Sequence, residues 1–433
     1  MATVRVAPAS AFCGAITIPP DKSITHRAIL FGAISDRTVV IERPLDSEDT
    51  GATLSAMEAC RVTARGHLGD RIELDGVGLR GLRPPATIDC MNSGTLARLL
   101  TGIMVGQSCD QTVIDGDASL RGRPMNRIAR PLAAMGAEIH TMPGGTPPMV
   151  VSGPRDLRGM VHRLPVASAQ VKSCLLLAGL FAEGETWVHE PERSRDHTER
   201  MLEAAGVTIL RDGLAVGVRG PVDGIALPDL AVPGDFSSAA FHAVAGVLCA
   251  NPQVRLNGVN LNPTRTGLLA VMERMGAGVQ ILDRAQMAGE PTGDLIVTRA
   301  DALRATEVAP HEVPALIDEL PLVGLLGAFA DGVTLVRGAQ ELRHKESDRI
   351  ASVCQALRAL GVRADEHEDG FSVHGAGGIA GGEIDSHGDH RLAMLGAIAG
   401  LVSSDGVSIR GFEAAAVSYP GFGRDLAALG AVA

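Results

Sequence analysis

At 433 residues and 44.9 kDa the chain is too long for one ordinary hydrophobic core, and its length predicts two or three domains. A content of 45% hydrophobic and 21% charged residues excludes disorder, coiled coil and collagen. A formal net charge of −11 with 3% aromatics disfavours a nucleic-acid or membrane binder, which needs a basic face and stacking rings.

In chain order, the first marked segment is Asp21-Lys22-Ser23-Ile-Thr25-His26-Arg27. Asp is a preferred N-cap, so a helix is expected to open here with Lys22 and His26, and Ser23 and Arg27, sharing faces. Cations at a helix's positive end are locally unfavourable by a few tenths of a kcal/mol, which a bound anion would offset. Leu54-Ser-Ala-Met-Glu-Ala-Cys60-Arg-Val then reads as a helix running into a strand. Asn92-Ser93-Gly94-Thr95 predicts a helix start where a ligand reaches backbone N–H groups closely. The loop Gly116-Asp-Ala-Ser119-Leu-Arg121-Gly-Arg123-Pro carries two arginines whose planar forks suit carboxylate or phosphate.

Ser168-Ala169-Gln170-Val-Lys172 opens a further helix, and the apolar run Cys174–Ala182 suits a buried one. Arg195-Asp196-His197-Thr198-Glu199-Arg200 reads as a surface helix start with alternating charges. Gly234-Asp235-Phe-Ser237-Ser238 and Asp318-Glu319 are expected to open two more helices, the second continuing into the apolar Leu320–Ala330. Glu341-Leu-Arg343-His344-Lys345-Glu346-Ser347-Asp348-Arg349 is the densest charged cluster, capped by Ser347 or Asp348. It fits equally a solvated ion-pair network or an acid–base set with mutually shifted pKa values. Gly388-Asp389-His390-Arg391 repeats the pattern of cap and cation, with His390 either structural or proton-transferring.

A second phrase threads through the first: a helical stretch ending in Gly, then a β-branched run. It ends at Gly136, Gly206, Gly276, Gly361 and Gly430, with steps of 70, 70, 85 and 69 residues, and Cys60 stands at the glycine position of a degenerate first copy. Glycine there relieves the left-handed position past a helix. Six units of about 72 residues are therefore expected, grouped into two α/β domains. Several helix N-termini facing one cleft would bind a highly anionic small molecule. GxxxxGK[ST], HExxH and GxSxG are absent, as is any zinc spacing among the seven scattered cysteines. The odd cysteine count and the lack of a basic-then-apolar leader point to a reduced, cytoplasmic protein.

Six of these segments together resemble the EPSP synthase family (3-phosphoshikimate 1-carboxyvinyltransferases) from about residue 14 to the C-terminus. They are Pro20-Asp-Lys22-Ser23-Ile-Thr-His-Arg27, Asn92-Ser-Gly94-Thr, Arg123-Pro-Met, Ser168-Ala-Gln170-Val-Lys-Ser, Arg343-His-Lys345-Glu346-Ser-Asp-Arg349 and Gly388-Asp-His-Arg391. The resemblance implies a two-domain inside-out α/β barrel, each domain of three βαβαββ units: residues 21–233, and residues 1–20 with 234–433, the active site in the cleft between them. It implies transfer of the enolpyruvyl group of phosphoenolpyruvate to the 5-hydroxyl of shikimate 3-phosphate, in aromatic amino acid biosynthesis, by a monomer with no metal or organic cofactor. By motif position, Lys22, Ser23, Arg27, Ser168, Ala169, Gln170, Arg195, Asp318 and Lys345 are implied shikimate 3-phosphate contacts. Lys22, Gly94, Arg123, Gln170, Arg349 and Arg391 are implied for phosphoenolpyruvate, and Asp318, Glu346 and Lys22 for catalysis.

Ser168-Ala-Gln-Val-Lys-Ser, Pro263-Thr-Arg-Thr-Gly and Arg195-Asp-His-Thr are similar to the often glyphosate-tolerant class II branch. Ala414-Ala-Ala-Val417-Ser-Tyr-Pro likewise lacks the lysine of class I members. Gly94, where tolerant members often carry alanine, implies room for glyphosate. The sister transferase acting on UDP-N-acetylglucosamine usually has a cysteine before Arg-Pro, and Asp117–Gly122 has none. The acidic balance and the single Trp187 and Tyr419 count against the RNA 3′-phosphate cyclases, which share this architecture. A catalytically dead anion-binding relative is the remaining alternative, disfavoured by the intact Asp318, Lys345 and Glu346.

Overall fold

The computed structural model describes residues 3–153, 156–287 and 289–431, and counts of elements refer to these. The chain divides into two compact units. An inserted unit comprises Pro20–Val232 and Met287–Glu290; a split unit comprises the chain up to Pro19, Pro233–Gln286 and the chain from Pro291 onward. In the inserted unit the Glu290 carboxylate, fully buried, lies 2.7 Å from His197 Nδ1. The architecture is mixed α/β.

In the inserted unit three four-stranded sheets share one plan. Thr87–Asp89 pairs parallel with Cys109–Asp115, which pairs antiparallel with Met149–Gly153, and that with Glu138–His140. Thr38–Glu42 and Gly184–His189 are the second strands of the other two sheets, with the same sequence of pairings. Three helices, Lys22–Ala33, Gly94–Met104 and Ala169–Gly179, are buried along nearly their whole length. Past their polar first turns these helices are apolar on nearly every side and so belong inside, while the strands alternate a buried and an exposed face. Gly102 lets two of these helices touch, since a Cβ there would land on the Cys174 backbone. The expectation of buried helices at Cys174–Ala182 and Leu320–Ala330 is met by Ala169–Gly179 and Leu320–Phe329.

The split unit holds Phe236–Cys249, Leu320–Phe329 and His390–Val402 as its own mutually packed buried helices. Sheets containing Val254–Asn260, Val333–Val336 and Val407–Arg410 surround its core, each with one parallel and one antiparallel pairing about that strand.

Helix ends follow local chemistry closely. Asp21, Ser93, Ser168, Asp235, Asp348 and Asp389 each accept a backbone N–H as N-caps, whereas Asp318-Glu319 precedes its helix without a side-chain cap. At the other ends Gly136, Gly206, Gly276, Gly361 and Gly430 all have positive φ. After each, the next N–H returns to a carbonyl one turn back: Ala137 to Leu132, Val207 to Leu202, Ala277 to Met272, Val362 to Leu357 and Ala431 to Leu426. The first copy needs a correction of one residue. Cys60 is the C-cap of Glu48–Ala59, and the left-handed residue is Arg61, at φ 71°, with Val62 N–H returning to Met57. A further glycine pattern, Gly76-Val-Gly78-Leu-Arg-Gly81, has dinucleotide-fingerprint spacing after the strand Arg71–Asp75, but no helix follows it.

Candidate active site

In the inserted unit the Asp21 cap accepts from Ile24 N at 3.0 Å and sets Lys22 at the first helical position. The Lys22 ammonium lies 3.0 Å from Asp49, a first-turn acid of the helix Glu48–Ala59. Arg27 is 3% exposed and donates from Nε to Thr198 Oγ1 (2.8 Å), from Nη1 to the Ser23 carbonyl (2.9 Å) and from Nη2 to Ser173 Oγ (3.1 Å). Burial pulls its pKa down to about 10, with Glu199 opposing, so it is still a cation at neutral pH. His26, also buried, is pushed down to about 3, chiefly by loss of solvent, and is neutral there. Its Nδ1 meets Thr53 Oγ1 at 2.6 Å.

Gly94, Arg123 and Gln170 converge, and Arg98 joins them. Arg98 Nη1 donates to Gln170 Oε1, and Gln170 Nε2 donates to Thr95 Oγ1 at 3.0 Å. Arg123 Nη2 donates to Asn92 Oδ1 (2.7 Å) and Ser119 Oγ (3.2 Å), while Arg121 is an exposed partner of Asp115. A Cβ on Gly94 would stand 2.9 Å from Arg98 Nη1 and 3.1 Å from Arg123 Nη1. Ser168 caps the helix that begins at Ala169, and its own N–H donates to Glu190 Oε1 at 3.2 Å.

Beneath that turn lies Lys172, 2% exposed, with its ammonium 2.8 Å from both Glu190 and Glu199. Burial opposes its charge, but the two carboxylates prevail and raise its pKa. Glu199 corrects the expected surface helix start. His197, Thr198 and Glu199 are buried, because they face Glu290, Arg27 and Lys172 instead of water. Arg195 lies close enough to Arg27 to help depress its pKa.

The split unit gathers Asp318, Lys345, Glu346, Arg349 and Arg391. Asp318 Oδ1 is 3.2 Å from Arg349 Nη1 and 3.4 Å from Lys345 Nζ, and its Oδ2 is 3.5 Å from Arg391 Nη2. Arg349 is the hub: Nη2 lies 2.6 Å from Glu346 Oε2 and Nε 2.8 Å from Asp389 Oδ2. Burial opposes the Arg349 charge, and the surrounding carboxylates of Asp389, Glu346 and Asp318 raise its pKa nonetheless. For Asp389, burial pushes the carboxyl up but Arg349 and His390 hold it below the usual range. The charged cluster therefore divides. Arg343, paired with Asp348 and Glu366 at the rim, belongs to a solvated network, whereas Arg349 sits inside.

The implied residues thus form one set in each unit: Lys22, Ser23, Arg27, Gly94, Arg123, Ser168, Ala169, Gln170 and Arg195 in the first, and the remaining five in the second. Sequence reasoning passed over Arg98, Lys172 and Glu190, which lie against or beneath the implied residues of the inserted unit, and Glu319, 3.8 Å from Arg391. The one local signal was Glu319 beside Asp318 ahead of an all-apolar helix; the others depend on partners far away in the chain. Among the described residues no group of three or more His, Cys, Asp or Glu is arranged to hold a metal, and no helix is long and apolar enough to cross a membrane.

Comparison with known proteins matches the chain to one family. The family model for EPSP synthase (3-phosphoshikimate 1-carboxyvinyltransferase) matches residues 6–426. The 3-phosphoshikimate 1-carboxyvinyltransferase of Parasynechococcus marenigrum is 45% identical, over 95% of this chain and 94% of its own. The protein of the same name from Xanthomonas campestris pv. campestris is 46% identical over the same shares. A solved EPSP synthase from Acinetobacter baumannii superposes with a TM-score of 0.88 at 41% identity, covering 99% of this chain and 98% of that one. The enolpyruvyl transferase NikO from Streptomyces tendae shares the fold, with a TM-score of 0.79 at 18% identity. The chain belongs to the EPSP synthase family.

Proposed function

We propose that this chain, working as a cytoplasmic monomer, transfers the enolpyruvyl group of phosphoenolpyruvate to the 5-hydroxyl of shikimate 3-phosphate and releases phosphate. The hydroxyl adds to C2 while a proton goes to C3; the tetrahedral intermediate then loses phosphate and a methyl proton. Such addition–elimination needs two polyanions held together and acid–base groups at two atoms. Each unit, on this reading, is an inside-out barrel of three βαβαββ repeats, with both units serving the same pair of substrates. The buried helices, the recurrent sheet plan and the six helix ends with one hydrogen-bond pattern, five at glycine and one at Arg61, support that architecture.

The observation that carries the reading is the Asp318 carboxylate with three cations within 3.5 Å, Lys345 and Arg349 from one segment and Arg391 from another. Asp318 receives the hydrogen bond, and then the proton, of the attacking hydroxyl. Lys345 steadies the same substrate. Arg391 is suited to exchange partners with an incoming anion, because its ion contacts with Asp318 and Glu319 are long, at 3.5 and 3.8 Å. Glu346, 27% exposed at its side chain and oriented by Arg349, serves C3. In the inserted unit Lys22, Ser23, Arg27, Ser168, Ala169, Gln170 and Arg195 hold shikimate 3-phosphate, and Arg123 beside Gly94 holds phosphoenolpyruvate with Arg349 and Arg391. Lys22 and Gln170 reach both.

Phosphate release from purified protein and phosphoenolpyruvate tests the assignment. Release that requires shikimate 3-phosphate is the expected result. Release driven by UDP-N-acetylglucosamine, or by neither acceptor, would overturn it.

A further inference from the structure

The motif Pro263-Thr-Arg-Thr-Gly267 lies in a loop whose hydrogen bonds bury a cation. Asn262 N donates to Asn260 Oδ1 at 2.8 Å, Thr264 N and Oγ1 donate to Asn262 Oδ1 at 2.9 and 2.6 Å, and Arg265 N donates to the Asn262 carbonyl at 2.8 Å. Asn260 and Asn262 are fully buried and Arg265 is 2% exposed. A guanidinium at that depth is strongly unfavourable unless it is paired. Arg265 Nη2 donates to Asp235 Oδ1 (3.1 Å) and to Ser237 Oγ (2.7 Å).

Ser237 has one hydroxyl proton. With Arg265 donating to its oxygen, that proton is left for Glu319 Oε1, which Ser237 Oγ meets in a short hydrogen bond. Glu319 is 1% exposed, and the same Oε1 lies 3.8 Å from Arg391 Nη1. Arg391 has its other ion contact, with Asp318, at 3.5 Å. Both are ion contacts longer than a hydrogen bond, so the two carboxylates steer the Arg391 guanidinium by charge while leaving it able to turn to an incoming anion.

We propose that Arg265 is a positioning residue for phosphoenolpyruvate, acting through Ser237 and Glu319 on Arg391; this rests on the assignment of Arg391 to that substrate. Arg265 fixes the serine proton, the serine fixes the glutamate, and the glutamate aims the arginine. Each link lies within the split unit, and Arg265, Ser237 and Glu319 are not among the groups assigned to shikimate 3-phosphate, although Arg391 at the end of the chain of contacts also faces Asp318.

Steady-state phosphate release, with each substrate varied separately, tests the chain of contacts in Arg265→Gln, Arg265→Lys, Ser237→Ala and the double variant Arg265→Gln/Ser237→Ala. Arg265→Gln and Ser237→Ala are expected to raise KM for phosphoenolpyruvate by about tenfold, the scale of a lost hydrogen bond to a charged group, and leave KM for shikimate 3-phosphate within about twofold. Arg265→Lys recovers most of the loss, and the double variant is no worse than the worse single one, as one relay requires. Ser237→Ala keeps the Arg265–Asp235 pair, so the test stands even where Arg265→Gln folds poorly. Both KM values rising together, or additive effects in the double variant, would overturn the proposal. A wild-type protein that releases no phosphate from this substrate pair would bring down the functional assignment and the proposal with it. Normal wild-type turnover with substrate-indifferent variants would sink the proposal alone.

Discussion

Asp389 and Arg349 bury a carboxylate against a guanidinium at 2.8 Å, with neither side chain more than 1% exposed. Asp389 also caps the helix His390–Val402 through Arg391 N at 2.9 Å and accepts from Ser347 Oγ at 3.0 Å. One carboxylate thus orients the hub arginine and the start of a central helix together.

That pairing predicts an acid-sensitive contribution to stability. The Asp389 pKa is depressed in the fold, so its stabilisation is complete above the unfolded value of about 3.9 and is lost as pH falls through the lower folded value. The stability difference between wild type and Asp389→Asn, measured by urea unfolding, is expected to be constant from pH 7 to 5 and to shrink below about pH 4. A difference that grew on acidification would contradict the ion pair.

Glu346→Gln would remove the proposed acid–base group but keep a side chain of the same shape beside Arg349. Turnover is expected to drop by about a hundredfold to ten-thousandfold, with both KM values little changed. Near-normal turnover would remove Glu346 from the mechanism.

Lys172→Met would leave Glu190 and Glu199 facing each other at 2% and 4% side-chain exposure without their shared ammonium. Breaking a buried pair from one side costs about 3–5 kcal/mol, read as a lower urea midpoint. The triple change Lys172→Met, Glu190→Gln, Glu199→Gln should restore much of that loss.

The legible parts of this molecule are those decided within one helical turn. Asp21, Ser93 and Asp389 announce helix starts because a short acceptor side chain satisfies N–H groups two or three residues on. Gly206 and Gly361 announce helix ends because the backbone there needs positive φ. The burial of Glu199 was illegible, since its alternating-charge neighbourhood looks the same in water as against Lys172. Arg98 and Arg265 were missed because their partners, Gln170 and Ser237, are 72 and 28 residues away. Cys60 drew the eye from Arg61 because nothing in side-chain type marks an arginine as left-handed.

Arg61→Gly is therefore expected to stabilise the protein. A left-handed non-glycine residue costs about 1–2 kcal/mol, partly offset by the greater unfolded-state freedom of glycine, leaving a net gain of about 0.5–1 kcal/mol. Gly206→Ala, in open space at φ 91°, should lose about 1 kcal/mol. Unfolding midpoints moving the same way in both variants would refute the shared geometry.

Gly94→Ala tests crowding. Its Cβ would press on the side-chain tips of Arg98 and Arg123 and not on backbone, so the fold should lose less than about 1 kcal/mol. KM for phosphoenolpyruvate is expected to rise about tenfold to a hundredfold, with weaker inhibition by glyphosate. Millimolar glyphosate inhibition unchanged by the substitution would defeat the implied role of Gly94.

The counterions around Lys345, Arg349 and Arg391 are built into the polypeptide itself. On the proposed assignment, an arriving phosphate or carboxylate would displace internal ligands before it is held, which makes recognition an exchange reaction. Such a cluster would discriminate by how well the newcomer's shape replaces the resident acids, and a small inorganic anion, unable to replace several at once, would gain little there.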